Sequence, residues 1–290
     1  MSAWFAVATL CVGAADCLVA GAGPLEIAHA RELYGQGDFQ GALRVLDSAG
    51  KLNAEGLLLA GQARYRAGDV RAASSDFEKA LAVNPADSRA ALWLGRAYGR
   101  RAETGNFLFA PRYAVRARQN FELAVKLDSR NLEAWNDLFA YYLEAPRFLG
   151  GGMDKAEAVA ERVRGLDSAE YQYDRARLAE KRRQPNLAEN HYRKAAELAP
   201  RDPGRLIDLA EFLESQGRRN EADSIFERAN EIAPAAPVVL YERARTYVHS
   251  SRRLDDARAL LVRYLSLPAG PDDPPRSAAL DLLRQLPAGH

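Results

Sequence analysis

The chain is patterned by small and aromatic positions at helical spacing. Ala42, Ala73, Ala117, Ala156, Ala188, Ala222 and Ala257 form a ladder. Its steps are roughly 31 to 35 residues, stretched to about 44 before Ala117 and about 39 before Ala156. Four residues after each rung stand Leu46, Phe77, Phe121, Ala160, Tyr192, Phe226 and Leu261. Three further on come Ala49, Ala80, Ala124, Val163, Ala195, Ala229 and Tyr264. Offsets of four and three put these side chains on one face of a helix. Five residues later Pro85, Pro200 and Pro234 end the helix, because proline lacks an N–H and disfavours helix in the residue before it. Ser129 and Ser168 hold the equivalent places.

The order small, aromatic, alanine, proline on the second helix of a pair resembles the tetratricopeptide repeat. Leu94-Gly95 with Tyr98 matches the first-helix signature of that family, and Leu209-Ala210 with Leu213 and Ala244 with Tyr247 follow it more loosely. Trp135 sits at its tryptophan position, and Gly37, Gly68 and Gly217 mark turns between paired helices. Arg64, Phe139, Arg175 and Lys181 depart from the consensus. The resemblance implies an all-α fold: a right-handed α-solenoid of about seven helix hairpins over residues 23–268, with 269–290 as a capping helix and tail. Two units are too long, which predicts insertions near 101–112 and 145–153, projecting as loops from one edge. Gly150-Gly151-Gly152 reads as a flexible connection, and Asp154 with Glu157 as a capping box opening the next helix.

Residues 2–22 contain no lysine or arginine and a single acid, Asp16. This run, closed by Ala20-Gly21-Ala22, has the form of a signal peptide covering residues 1–22. It predicts an exported, periplasmic or secreted protein; an uncleaved membrane anchor and a cytoplasmic N-terminal helix are the alternatives. Both cysteines, Cys11 and Cys17, lie inside it, so the remainder offers no disulfide, thiolate zinc site or cysteine nucleophile.

Forty basic residues against 39 acidic ones leave a net charge of +1, with the signs interspersed. No global attraction to nucleic acid follows, and a membrane becomes a partner only if the N-terminal segment is retained. His29, His191, His249 and His290 have no metal-ligand spacing, and neither a phosphate-binding loop nor a hydrolase or metalloprotease motif is present. The expectation is a chain that is not an enzyme and uses no cofactor or metal. Exposed carboxylates read as solubilising charges.

Proteins of the resembled family hold peptides or proteins on the concave face lined by their first helices. Carried over by position, that face takes in Gln62, Tyr65, Arg66, Arg96, Arg100, Asn136, Tyr173, Arg177, Tyr241 and Arg245. Arg96 and Arg100, one turn apart, would favour a negatively charged group. Phe107, Phe109 and Phe148 in the two insertions either plug gaps between helices or form a recognition rim beside them. The expected function is thus a scaffold binding an unidentified protein or peptide partner on its concave face and inserted loops. The alternative is a membrane-tethered structural or assembly factor.

Overall fold

The computed structural model describes residues 23–234, 236–268 and 270–287; the expected leader, both cysteines and His290 lie outside them. The described residues form fifteen α-helices and no strand. They run α1 (Pro24–Gly35), α2 (Phe39–Ser48), α3 (Ala54–Arg66), α4 (Val70–Val83), α5 (Ser88–Thr104), α6 (Ala110–Leu127), α7 (Leu132–Glu144), α8 (Met153–Val163), α9 (Ser168–Lys181), α10 (Pro185–Leu198), α11 (Pro203–Ser215), α12 (Arg219–Ile232), α13 (Pro237–His249), α14 (Leu254–Ser266) and α15 (Arg276–Gln285). A single 3-10 turn, Arg147–Leu149, lies between α7 and α8.

Consecutive odd and even helices pair into seven hairpins, and each hairpin packs on the next. Odd helices also touch the odd helix of the following unit, as α3 touches α5 and α5 touches α7. The first helices therefore lie on the inside of the stack.

The alanine ladder explains the pairing. All seven rungs are fully buried, and the residues four positions on are buried as well. A small side chain at each rung lets two helices approach, and the aromatic that follows fills the space beside it. Gly61 and Gly95 are the counterparts on the first helix. A Cβ on Gly61 would lie 2.5 Å from the Phe77 ring, and one on Gly95 2.6 Å from the Phe121 ring, so only glycine accepts those rings at contact distance. Asp38, Asn53, Asp69, Asp87, Asn131, Asp167 and Asp202 cap the helices that follow them by accepting backbone N–H groups. Gly37, Gly68 and Gly217 adopt positive φ between paired helices. In the fifth and seventh units Arg183 and Ser251 take the same left-handed position. At the C-terminal end α15 lays Ala279 and Leu282 against the cluster around Tyr247, Leu261 and Tyr264, closing the last apolar face.

The third unit differs from the loop expected near 101–112, while the link expected near 145–153 is present between α7 and α8. In the third unit most of the surplus is helix: α5 has 17 residues and α6 has 18, where α3 has 13 and α4 has 14. Only residues 105–109 connect them. In the fourth unit the link between α7 and α8 is fixed, not flexible. The Gly152 N–H donates to Tyr142 O at 2.9 Å and the Gly151 N–H to Pro146 O at 3.2 Å. A Cβ on Gly151 would sit 1.8 Å from Ala145 O. The capping box does not form either: Gly152 caps α8 without a side-chain bond, and Asp154 falls in the first helical turn.

Candidate functional site: a cleft in the inner face

The longer third unit creates a recess. The last turn of α5 extends past the end of α3, and α7 with the Ala145–Leu149 link faces it. Between them opens a cleft of about 600 Å³. Gly99, Ala102, Ala114, Phe121, Ala140, Tyr141, Pro146 and Leu149 give it an apolar lining; Arg96, Arg100, Glu103, Asp137 and Glu144 stand around it, with Tyr65 at one end. Small residues on three helices leave the space open, and the Tyr141 hydroxyl, donating to Leu149 O at 3.0 Å, fixes the link as a wall.

Of the residues named from sequence, Tyr65, Arg96 and Arg100 come together here. Arg66 and Arg96 lie on the ring of Trp93, at 5.5 and 5.0 Å from its centroid, and Tyr65 meets that ring edge-on. Arg66 also pairs with Asp272 at 3.3 Å. Gln62 is half-buried and makes no side-chain hydrogen bond within the described residues. Tyr173 and Arg177 form a separate group in the fifth unit, their side chains 3.0 Å apart, and Tyr241 and Arg245 another in the seventh. Phe107, Phe109 and Phe148 line none of these. They are 78%, 53% and 82% exposed, so they do not plug gaps between helices.

The arginines are already engaged. Arg96 donates to Asp137 at 2.5 Å and reaches Glu133 at 3.2 Å, both on the next unit. Arg177 pairs with Glu144 of the previous unit at 2.9 Å, and Arg245 with Glu211 of the previous unit at 2.6 Å. These cations tie units together, so Arg96 is not the open anion-binding group expected from its spacing to Arg100. Arg100, half-exposed and held only to Glu103 at 3.4 Å, is the more available charge.

The sequence reading passed over the carboxylates that answer them. Asp137, Asp174, Asp208 and Glu242 recur at one register, each two residues before the buried Phe139, Ala176, Ala210 and Ala244. They form a row along the inner side of α7, α9, α11 and α13. Burial pushes the pKa of all four upward. Asp208 and Glu242 have Arg205 and Arg245 at 3.2 and 2.5 Å. Asp174 differs: it is 1% exposed, neither carboxylate oxygen has a hydrogen-bond partner, and desolvation, reinforced by Glu170, lifts its pKa to about 8. The Oδ1 of Asn136, on α7, is likewise buried without a donor. An acid at a fixed offset in four successive units was the available signal.

Comparison with known proteins agrees with the fold. Models described as tetratricopeptide repeat match residues 58–103 and 205–235. The fold defines an α-solenoid, and these matches support the tetratricopeptide-repeat family as its class. A tetratricopeptide repeat protein of Parabacteroides merdae superposes with a TM-score of 0.59 at 14% identity, over 90% of this chain and 97% of that one. A thermophilic tetratricopeptide-repeat protein of Thermus thermophilus gives 0.54 at 22% identity, over 65% of this chain and 97% of its own. At such identities the likeness is one of fold. No curated protein sequence matches the chain.

Proposed function

We propose that this protein is a non-catalytic scaffold that holds an extended segment of a partner protein along its inner face, anchored by an apolar side chain in the cleft between α5 and α7. Tetratricopeptide-repeat folds generally serve as protein-interaction scaffolds. The observation that carries the reading here is the cleft itself, about 600 Å³ with an apolar floor, assembled from the two units that break the repeat. Arg100, Glu103 and Glu144 at its edge supply the few polar groups that orient a bound chain. We also place the protein outside the cytoplasm, on the uncharged apolar run and Ala20-Gly21-Ala22 of its first 22 residues.

Ala140 tests the cleft. It is exposed and lines the recess, so Ala140→Trp fills the space without crowding the core. Affinity capture from native extract, read by mass spectrometry, is expected to lose its specific partner with this variant while the melting temperature stays unchanged. A partner retained in full by the filled cleft refutes the anchoring role.

A further inference from the structure

The two inserted links carry an apolar edge that the cleft does not use. Phe107, Leu108, Phe109 and Phe148 are 78%, 68%, 53% and 82% exposed. Other exposed large hydrophobics, such as Leu25, Val83 and Val262, are scattered singly along the stack. Three are consecutive at the α5–α6 turn, and Phe148 is on the 3-10 turn that packs against α6 and borders the cleft with Ala102 and Ala114. The turn is built to present them: Asn106 Oδ1 accepts the Leu108 N–H at 2.9 Å, and Asn106 O accepts the Phe109 N–H at 3.0 Å. Phe107 and Leu108 are thereby fixed at its apex.

The charge on the first of these segments is mainly positive. From Arg100 to Arg118 the chain carries Arg100, Arg101, Arg112, Arg116 and Arg118 against the single acid Glu103, in a molecule whose net charge is only +1. Arg112 follows Phe109 by three residues and Arg147 adjoins Phe148. Neither has an ion-pair or hydrogen-bond partner among the described residues, whereas Arg101, Arg116 and Arg118 bond to Tyr113, Tyr98 and Glu122. A convex aromatic tip with free guanidinium groups at its base matches a bilayer: rings enter the acyl boundary, and long cationic side chains stay with the phosphates. No described helix is long and apolar enough to cross a membrane, so this contact is interfacial.

We propose that the edge formed by residues 105–109 and the Arg147–Leu149 turn docks on an anionic phospholipid surface, with Phe107, Leu108, Phe109 and Phe148 inserted and Arg112 and Arg147 at headgroup phosphates. The four inserted side chains are not among those lining the cleft, whose wall the Arg147–Leu149 turn also forms, and the proposal holds whether or not the cleft binds a partner.

Flotation of the full chain with phosphatidylcholine vesicles, with and without about 30% phosphatidylglycerol, tests it. Binding is expected to the anionic vesicles and to weaken with added salt. Phe107→Ser with Phe148→Ser, or Arg112→Glu with Arg147→Glu, should reduce it about tenfold or more at an unchanged melting temperature. All of these side chains are surface positions, and every variant keeps the N-terminal segment, whose own affinity is therefore constant across the series. Absence of wild-type binding overturns the proposal. So does binding that survives the Phe107/Phe148 substitution, or a concentration-dependent dimer abolished by that substitution in a protein that ignores vesicles.

Discussion

Asp174 offers a quantitative test of the inner face. Its carboxyl is buried in α9 with no hydrogen-bond partner, facing Glu170 on its own helix and the arginines Arg177 and Arg205. Desolvation outweighs those cations and raises the folded-state pKa to about 8, from the ordinary 3.8 of an aspartate. The sign follows directly. Between those values the unfolded chain is ionised at this position while the folded chain keeps the proton, so stability falls as pH rises and levels off above the folded pKa. Each pH unit is worth about 1.4 kcal/mol, so going from pH 5 to pH 7 removes roughly 3 kcal/mol. Asp174→Asn has nearly the same shape and never ionises. Every other titration is common to both proteins and cancels in the difference. The variant should melt close to wild type at pH 5 and about 5–10 °C above it at pH 7, scaling from domains of 150–250 residues. Thermal unfolding followed by circular dichroism at both pH values measures this. A difference that is the same at pH 5 and pH 7 would show that Asp174 is ionised in the native protein and would refute the reasoning.

The remaining predictions concern packing and processing. Ala222 is fully buried where α11 meets α12, so Ala222→Leu should lower stability by about 1–3 kcal/mol in a thermal or urea melt. Gly151→Ala puts a methyl group 1.8 Å from Ala145 O, which must move the cleft wall; reduced partner capture together with a lowered melting temperature is expected. Export cleavage after Ala22 would leave a thiol-free chain starting at Gly23, and the intact mass of protein purified from its native source decides this.

Hairpin count, rung residues and capping helix were legible because each repeats a local rule. A small residue every unit, with an aromatic one turn later, is visible without knowing how units stack. The surplus residues were legible in number but not in form. The distance from one second helix to the next is blind to whether extra residues bulge out or extend both helices. Composition held a clue: Arg100, Arg101, Ala102 and Glu103 are all strong helix formers, and α5 continues through them to Thr104. Pairings between units were hidden for another reason. Arg96 and Asp137 are 41 residues apart, and only the stacking register brings them to 2.5 Å. Reading arginines as binding groups without locating their carboxylates therefore overstated the charge the groove offers a ligand.

The cleft and the lengthened unit are one feature. In a stack of equal hairpins each first helix is flanked along its whole length by the first helices before and after it, and the groove they line stays shallow. Here α5 outruns α3 by about a turn of helix, so its last turn lacks a neighbour on one side and faces α7 on the other. Ala102 and Ala140 are too small to close that gap, and the Ala145–Leu149 link bounds it without filling it. The glycines after Leu149 are what make that geometry possible: Gly150 has a φ of 92°, and at Gly151 any side chain would strike Ala145 O. Both departures from the repeat thus border one open cleft between the third and fourth units, and the proposed recognition belongs there, away from the regular remainder of the solenoid.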